Sequence, residues 1–231
     1  RWAALFPDDA NKMISNPAVY LKNSLSDRID YRIKHLEAFQ GKKLSKKFFD
    51  IVEAFEDKEI KEAVAINYHK VLAYKDEYEV ARLHLSTRQK VAEKFENVKK
   101  IKFHLAPPLI SKEGKNGRAK KIEFGEFTIH IFKILAWLKW LRGTKFDIFS
   151  YSKDRRLDLD IIKEYQHDLQ FVKKLNFDKD KELILELLNL PSSIKGFGVV
   201  RRKNYEAVSV QRKNLLKKLR NSSEVLGHAA E

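Results

Sequence analysis

The run LAYKDEYEVARL, residues 72–83, gathers side chains that could do chemistry. Asp76 and Glu77 are adjacent carboxylates, able in principle to act as acid and base. No nucleophile or metal partner stands beside them in the sequence. Lys75, Glu79 and Arg82 recur at i, i+4 and i+7, so on a helix they share one polar face and pair along it. Val71, Tyr74, Tyr78, Ala81 and Leu85 recur at i+3 and i+4, which predicts one buried stripe. The plainest account is an amphipathic helix with a solvated ionic ladder, each pair worth a few tenths of a kcal/mol, roughly.

Other charged residues extend the set. Arg155 and Arg156 fall in the first turn of a predicted helix, where they oppose the dipole and need an anionic partner; Asp147 is a candidate. His104 sits at a strand-to-loop corner before Pro107-Pro108, where a hydrogen-bonded structural role fits it best. Asp76, Glu77, Arg82, His104, Arg142, Asp147 and Arg155 are expected to form a buried or half-buried ionic network. It would lock the third helix, the strand corner and the Arg142 turn together. Lys195-Gly196-Phe197-Gly198 resembles a phosphate loop but fails the dinucleotide fingerprint, because Arg201 stands where the third glycine belongs and no strand precedes it. It reads as a tight turn whose amides, with Arg201 and Arg202, could hold an anion. The seven histidines show no metal spacing, and Asp154, Asp158 and Asp160 suit the amino end of a helix without any metal. No complete active site emerges.

Mostly helical elements must position these residues. Residues 1–23 read as a lead-in or linker from a preceding domain, 24–220 as one helical domain and 221–231 as a flexible tail. Ser26 is a plausible cap for a helix through Gln40, stopped by Gly41; a second helix spans 45–56 and a third 58–85, followed by a short one over 87–96. Residues 100–104 alternate as a strand, Pro107-Pro108 ends the run, and 121–124 could return as its hairpin partner. Residues 127–141 are apolar nearly all round, which predicts the central core helix; at that length, with His130, Lys133 and Lys139, it is no membrane span. Helices over 154–177, 181–190 and 204–220 complete a mainly α, single multi-helix domain around that apolar helix, with a short β-hairpin.

The 231 residues suffice for a real core. Cysteine is absent, which excludes disulfides, thiolate metal sites and cysteine-held clusters from this chain and fits a reducing cytoplasm. The opening RWAALFPDDA has acids where the apolar core of a signal peptide belongs, so a cytoplasmic location is expected. The net charge of +15 is concentrated in two segments, residues 98–121 at +7 and 195–220 at +8. Two basic patches on a neutral body imply an acidic partner.

Six blocks, taken together, resemble a domain of one known family. They are LAYKDEYEVARL (72–83), FHLAPPL (103–109), KKIEFG (120–125), LRGTKFDIF (141–149), the Arg155-Arg156 pair and IKGFG (194–198). In this order they are similar to the C-terminal accessory domain of the long-chain indolepyruvate ferredoxin oxidoreductases, which are fused 2-oxoacid:ferredoxin oxidoreductases. The family often has Pro at the position of Ile148, Gly at Ser150 and His at Val199.

The resemblance implies a parent enzyme that oxidatively decarboxylates an aryl 2-oxoacid to an acyl-CoA. It would use thiamine diphosphate and iron–sulfur clusters and pass electrons to ferredoxin. This chain lacks the Gly-Asp-Gly signature and the cluster cysteines, so an accessory role without catalysis is expected. Its partners would be the parent's other domains and, because ferredoxins are typically acidic, ferredoxin at a patch of Lys99, Lys100, Lys195, Arg201 and Arg202. CoA phosphates are a second target for that patch. The ionic set from Lys75 to Arg156 could instead face the parent's other domains. The competing reading is a basic helical module that binds nucleic acid or an acidic protein. Against nucleic acid, most aromatics fall at core-facing positions, and neither a recognition helix nor a stacking platform is recognisable.

Overall fold

A computed structural model describes residues 24–94, 102–105 and 122–228, with 88–94 and 223–228 described by backbone alone. Among these residues the chain forms eight α-helices and one two-stranded hairpin, so it is mainly α as the pattern predicts. Helix α1 (Leu25–Gln40) is capped two residues before the expected position. Ser24, not Ser26, takes that role because Asp27 lies at the third helical position and closes a reciprocal capping box with it. Gly41, at φ 104°, ends α1 and leads directly into α2 (Lys42–Glu53).

Helix α3 (Lys58–Leu72) is the true centre. Asp57 caps it by accepting from the amides of Glu59 and Ile60, and Ile60, Val64, Ala65, Tyr68, Val71 and Leu72 are all buried. The main core packs α1, α2, α6 (Lys153–Val172), α7 (Phe177–Asn189) and α8 (Val199–His228) around it. Phe48 and Tyr165 stack on either side of Tyr68, and the Tyr165 hydroxyl donates to the Leu188 carbonyl at 3.1 Å. Burial of rings of this size is the main stabilising contribution in a small helical domain.

The expected single helix over 58–85 is two helices. Backbone 73–76 leaves the helical path, and α4 runs Glu77–Lys94, absorbing the separate short helix expected after it. The local cause is Asp76: its side chain accepts from the Glu79 amide at 2.7 Å, and its carbonyl from the Val80 amide at 2.8 Å. Val71, Tyr74, Tyr78 and Ala81 are all buried despite the break, so the stripe is real although the helix is not continuous.

Strands β1 (Phe103–Leu105) and β2 (Ile122–Phe124) pair antiparallel with His104 opposite Glu123, giving the expected hairpin. With α4 and α5 (Thr128–Trp137) they close a second, smaller core of Ala81, Phe103, Ile129 and Phe132, with His84 stacked on the Phe132 ring at 5.0 Å. Here the expectation of a central apolar helix is corrected. Helix α5 and the 3-10 turn after it (Leu138–Leu141) lie at the side of the fold. They bury Thr128, Ile129 and Phe132 but leave Phe127, Ile131, Ile134, Trp137 and Trp140 exposed. Apolar composition on every face shows that a helix needs cover, not that the described residues supply it. No helix among the described residues is long and apolar enough to cross a membrane.

Candidate functional site

The polar residues singled out by the sequence meet where the two cores join. The carboxylate of Asp76 is fully enclosed. It accepts from Arg142 Nε at 2.5 Å and Nη2 at 3.0 Å, and from Arg155 Nη1 at 3.1 Å. Arg142 spends its remaining nitrogen on the Phe39 carbonyl at 2.7 Å and lies over the Phe39 ring, 3.7 Å from its centroid. Arg155 donates its other arm to Glu77 Oε2 at 2.6 Å and rests over Tyr74. Burial pushes the Glu77 pKa up, against the pull of Arg155. One carboxylate thus fastens the start of α4, the turn after α5 and the first turn of α6. Paired bidentate geometry makes such a buried bridge tolerable and makes it costly to break.

Three expected members of the network stand elsewhere. Arg82 pairs with Glu79 (2.8 and 2.6 Å), one turn beyond the node, where the helical periodicity carries it. Glu79, expected on a solvated ladder, is buried; burial would raise its pKa, but the hydrogen bonds from Arg82 and the nearby His35 imidazole bring it down to about 2. His104 is mostly exposed on the hairpin, 3.9 Å from Glu123, because strand alternation points it away from the core that Phe103 fills. Arg156 is exposed, and Asp147 does not partner either arginine of the 155–156 pair. Asp147 is buried and accepts from the Tyr78 hydroxyl at 3.0 Å and the amides of Phe149 and Gly143 at 3.2 and 3.3 Å. It shapes the loop that presents Arg142. Lys75 is exposed, as a ladder residue should be, but it faces a cleft.

That cleft, about 790 Å3, opens beside the node between α3, α6 and the beginning of α8. Lys75, Glu77 and Arg155 line one side and the Ile194–Gly198 turn the other, so three of the sequence blocks converge on it. Gly196 at φ 91° and Gly198 at φ 56° adopt left-handed backbone that only glycine takes readily. The turn ends at Val199, five residues before the expected start of α8. Of the basic patch, Arg201 pairs with Asp158 at 2.6 Å and Arg202 pairs with Asp154, while Lys195 is exposed. Lys99 and Lys100 lie outside the described residues.

Two cleft residues escaped the sequence reading. Lys70 sits at the end of α3, its ammonium donating to the carbonyls of Pro191 (2.8 Å) and Ser192 (3.0 Å). Asp158, attributed to the helix dipole, is largely buried, and burial raises its pKa to about 6 although Arg201 and Arg155 draw it down. The signal that could have found it is spacing: Asp154 and Asp158, at i and i+4, match the adjacent Arg202 and Arg201 on the facing helix. Among the described residues no His, Asp or Glu group could hold a metal ion. The site can bind an anion and hold helices in register; it shows no nucleophile poised against a base.

No curated protein and no solved structure matches the chain. The family profile of DUF6537, described as a family of unknown function, matches residues 25–214, from the first residue of α1 into α8, and the chain therefore belongs to that family.

Proposed function

We propose that the chain is a non-catalytic accessory domain of an indolepyruvate-type 2-oxoacid:ferredoxin oxidoreductase. It works in the cytoplasm beside domains that carry thiamine diphosphate and iron–sulfur clusters. The observation that carries this reading is the apolar face of α5 and the turn after it. Phe127, Ile131, Ile134, Trp137 and Trp140 follow one another at helical spacing along one exposed stripe, with Phe127 75% and Trp137 69% exposed. A contiguous stripe of this kind marks an interface. In this reading the catalytic domains cover it. Further support comes from the resembling blocks, which supply Asp76, Arg142, Asp147 and Arg155, and also the glycine turn of the cleft.

A second reading, docking of an acidic protein such as ferredoxin, is favoured by the outer side of α8. Lys203, Lys213, Lys217 and Lys218 are exposed there. With Arg201 and Arg202 already paired, these lysines and Lys195 would supply the steering charge.

The test is the intact mass of the native polypeptide, followed by ferredoxin reduction by the native enzyme carrying Trp137→Glu. A long polypeptide with cluster cysteines, whose 2-oxoacid-dependent rate falls in the variant, supports the proposal. A native polypeptide of about this chain's length with no thiamine-diphosphate subunit bound to it overturns it.

A further inference from the structure

We infer that the cleft between α3, α6 and the start of α8 binds a phosphate-bearing small molecule of nucleotide size, with its phosphates against the Gly196–Gly198 turn. The inference goes beyond the accessory-domain reading and does not rest on it.

Charge is the first argument. Seven cationic side chains and three carboxylates line the cleft. The carboxylates are already engaged: Asp158 by Arg201, Asp154 by Arg202 and Glu77 by Arg155. The ammonium groups of Lys75, Lys153 and Lys195 have no hydrogen-bond or ion-pair partner among the described residues. Beside them, the Lys70 pKa is lowered, first by burial and then by the nearby charges of Lys195 and Arg201. Like charges gathered around one space repel until an anion enters it.

The backbone is the second argument. The first helical hydrogen bond of α8 that closes on the turn runs from the Arg202 amide to the Gly198 carbonyl at 3.0 Å. The amides of Val199, Val200 and Arg201 precede it and have no acceptor within the helix. Gly198 and Arg201 line the same space as the lysines, so the start of a long helix borders the cleft, an arrangement that suits phosphate. Gly196 keeps the turn tight, since a Cβ there would lie 2.9 Å from Val200 Cγ1.

Size and lining decide the class. About 790 Å3 falls within the range of small-molecule sites, roughly 300–1,000 Å3. Val71, Ile161 and Ile194 provide an apolar floor, and the exposed ring of Phe197 stands at the rim. A single carboxylate would leave most of the lysines unpaired. A diphosphate attached to a flat apolar group uses both the charge and the floor.

The test is calorimetric titration of the purified chain with ADP, pyrophosphate and orthophosphate at constant ionic strength, with sulfate as control. Saturable binding in the order ADP, pyrophosphate, orthophosphate is expected, with sulfate no tighter than orthophosphate. Lys195→Ala should weaken ADP about tenfold. The double variant Lys153→Ala/Lys195→Ala should weaken it further. Lys213→Ala, on the outer part of α8, should leave it unchanged. All three positions are exposed, so the variants keep the fold, which a thermal melt verifies. Absence of saturation by ADP and pyrophosphate overturns the inference. So does an equal loss in Lys195→Ala and Lys213→Ala, which means diffuse charge. Binding of a single-stranded decanucleotide without binding of ADP overturns it in favour of a nucleic-acid groove. None of these outcomes alters the native mass or the Trp137 result that decide the accessory-domain reading.

Discussion

Arg142 closes on Asp76 with two parallel hydrogen bonds, of 2.5 and 3.0 Å, across 66 residues of sequence. Both side chains are all but sealed from water, at 2% and 0% exposed. The same carboxylate caps α4, so one side chain both starts a helix and ties the smaller core to the larger one. Asp76→Ala should therefore leave two buried guanidinium groups short of a partner and cost about 3–5 kcal/mol. Urea denaturation measures it. A loss below about 1 kcal/mol would mean that water reaches the node. Removing Arg142 as well, in Asp76→Ala/Arg142→Met, should recover part of the loss, because no unpaired charge then remains at that position.

Two half-buried groups should pull the pH dependence in opposite directions. His69, 3.0 Å from His35, has its pKa lowered to about 3 by burial first and then by the charges of His35 and Arg32. The unfolded chain takes up that proton near pH 6.5 and the folded chain does not, so this group contributes stability above that pH and loses it as the pH falls. Between pH 7 and 5 the loss is about 2 kcal/mol. Asp158 has the reverse sign. Its folded pKa of about 6 lies above the ordinary 3.8, so stability grows as the pH falls through 6. Between pH 7 and 5 that gain is about 1 kcal/mol. The wild type should thus lose about 1 kcal/mol over this window so far as these two groups act. His69→Leu should gain stability at pH 5 relative to pH 7, and Asp158→Asn should lose it. Parallel slopes for wild type and both variants in chemical denaturation would contradict the assignment.

The two sides of α5 should respond differently to substitution. Phe132 is buried in the smaller core, and Phe132→Ala should cost about 3–5 kcal/mol. Trp137→Ser, on the exposed stripe, should change stability by no more than about 0.5 kcal/mol in the isolated chain. Thermal or urea melts of the pair decide it. A large loss in Trp137→Ser would show that the chain buries this face after all.

Gly196→Ala should destabilise by about 2 kcal/mol, since alanine at φ 91° is strained and its Cβ meets Val200. Gly125→Ala, where nothing lies within 4 Å of the new carbon, serves as the control and should cost far less. Equal melting midpoints for the two variants would contradict the turn geometry.

Local chemistry was legible in the residues themselves. The stop of α1 at Gly41, the antiparallel hairpin and the helical class all follow from periodicity and from the conformations open to glycine and proline, which act over a few residues. Whether Asp76, Arg142 and Asp147 are buried together or face other domains was left open by their positions in the chain, and packing buries all three. The break at 73–76 was not legible. A stripe at i+3 and i+4 looks the same whether its two halves belong to one helix or to two that meet at a capped turn. The side of α5 that faces water was not legible either, since composition states a need for cover but not the neighbour that meets it. Most of all, the union of Lys70, Lys75, Asp158 and the Gly196–Gly198 turn in one cleft is a product of packing. The three segments that carry them lie tens of positions apart, and only the way α3, α6 and α8 cross brings them together. Sequence determined which residues are charged, rigid or bare. Tertiary structure decided which charges cancel, which remain free, and around what space.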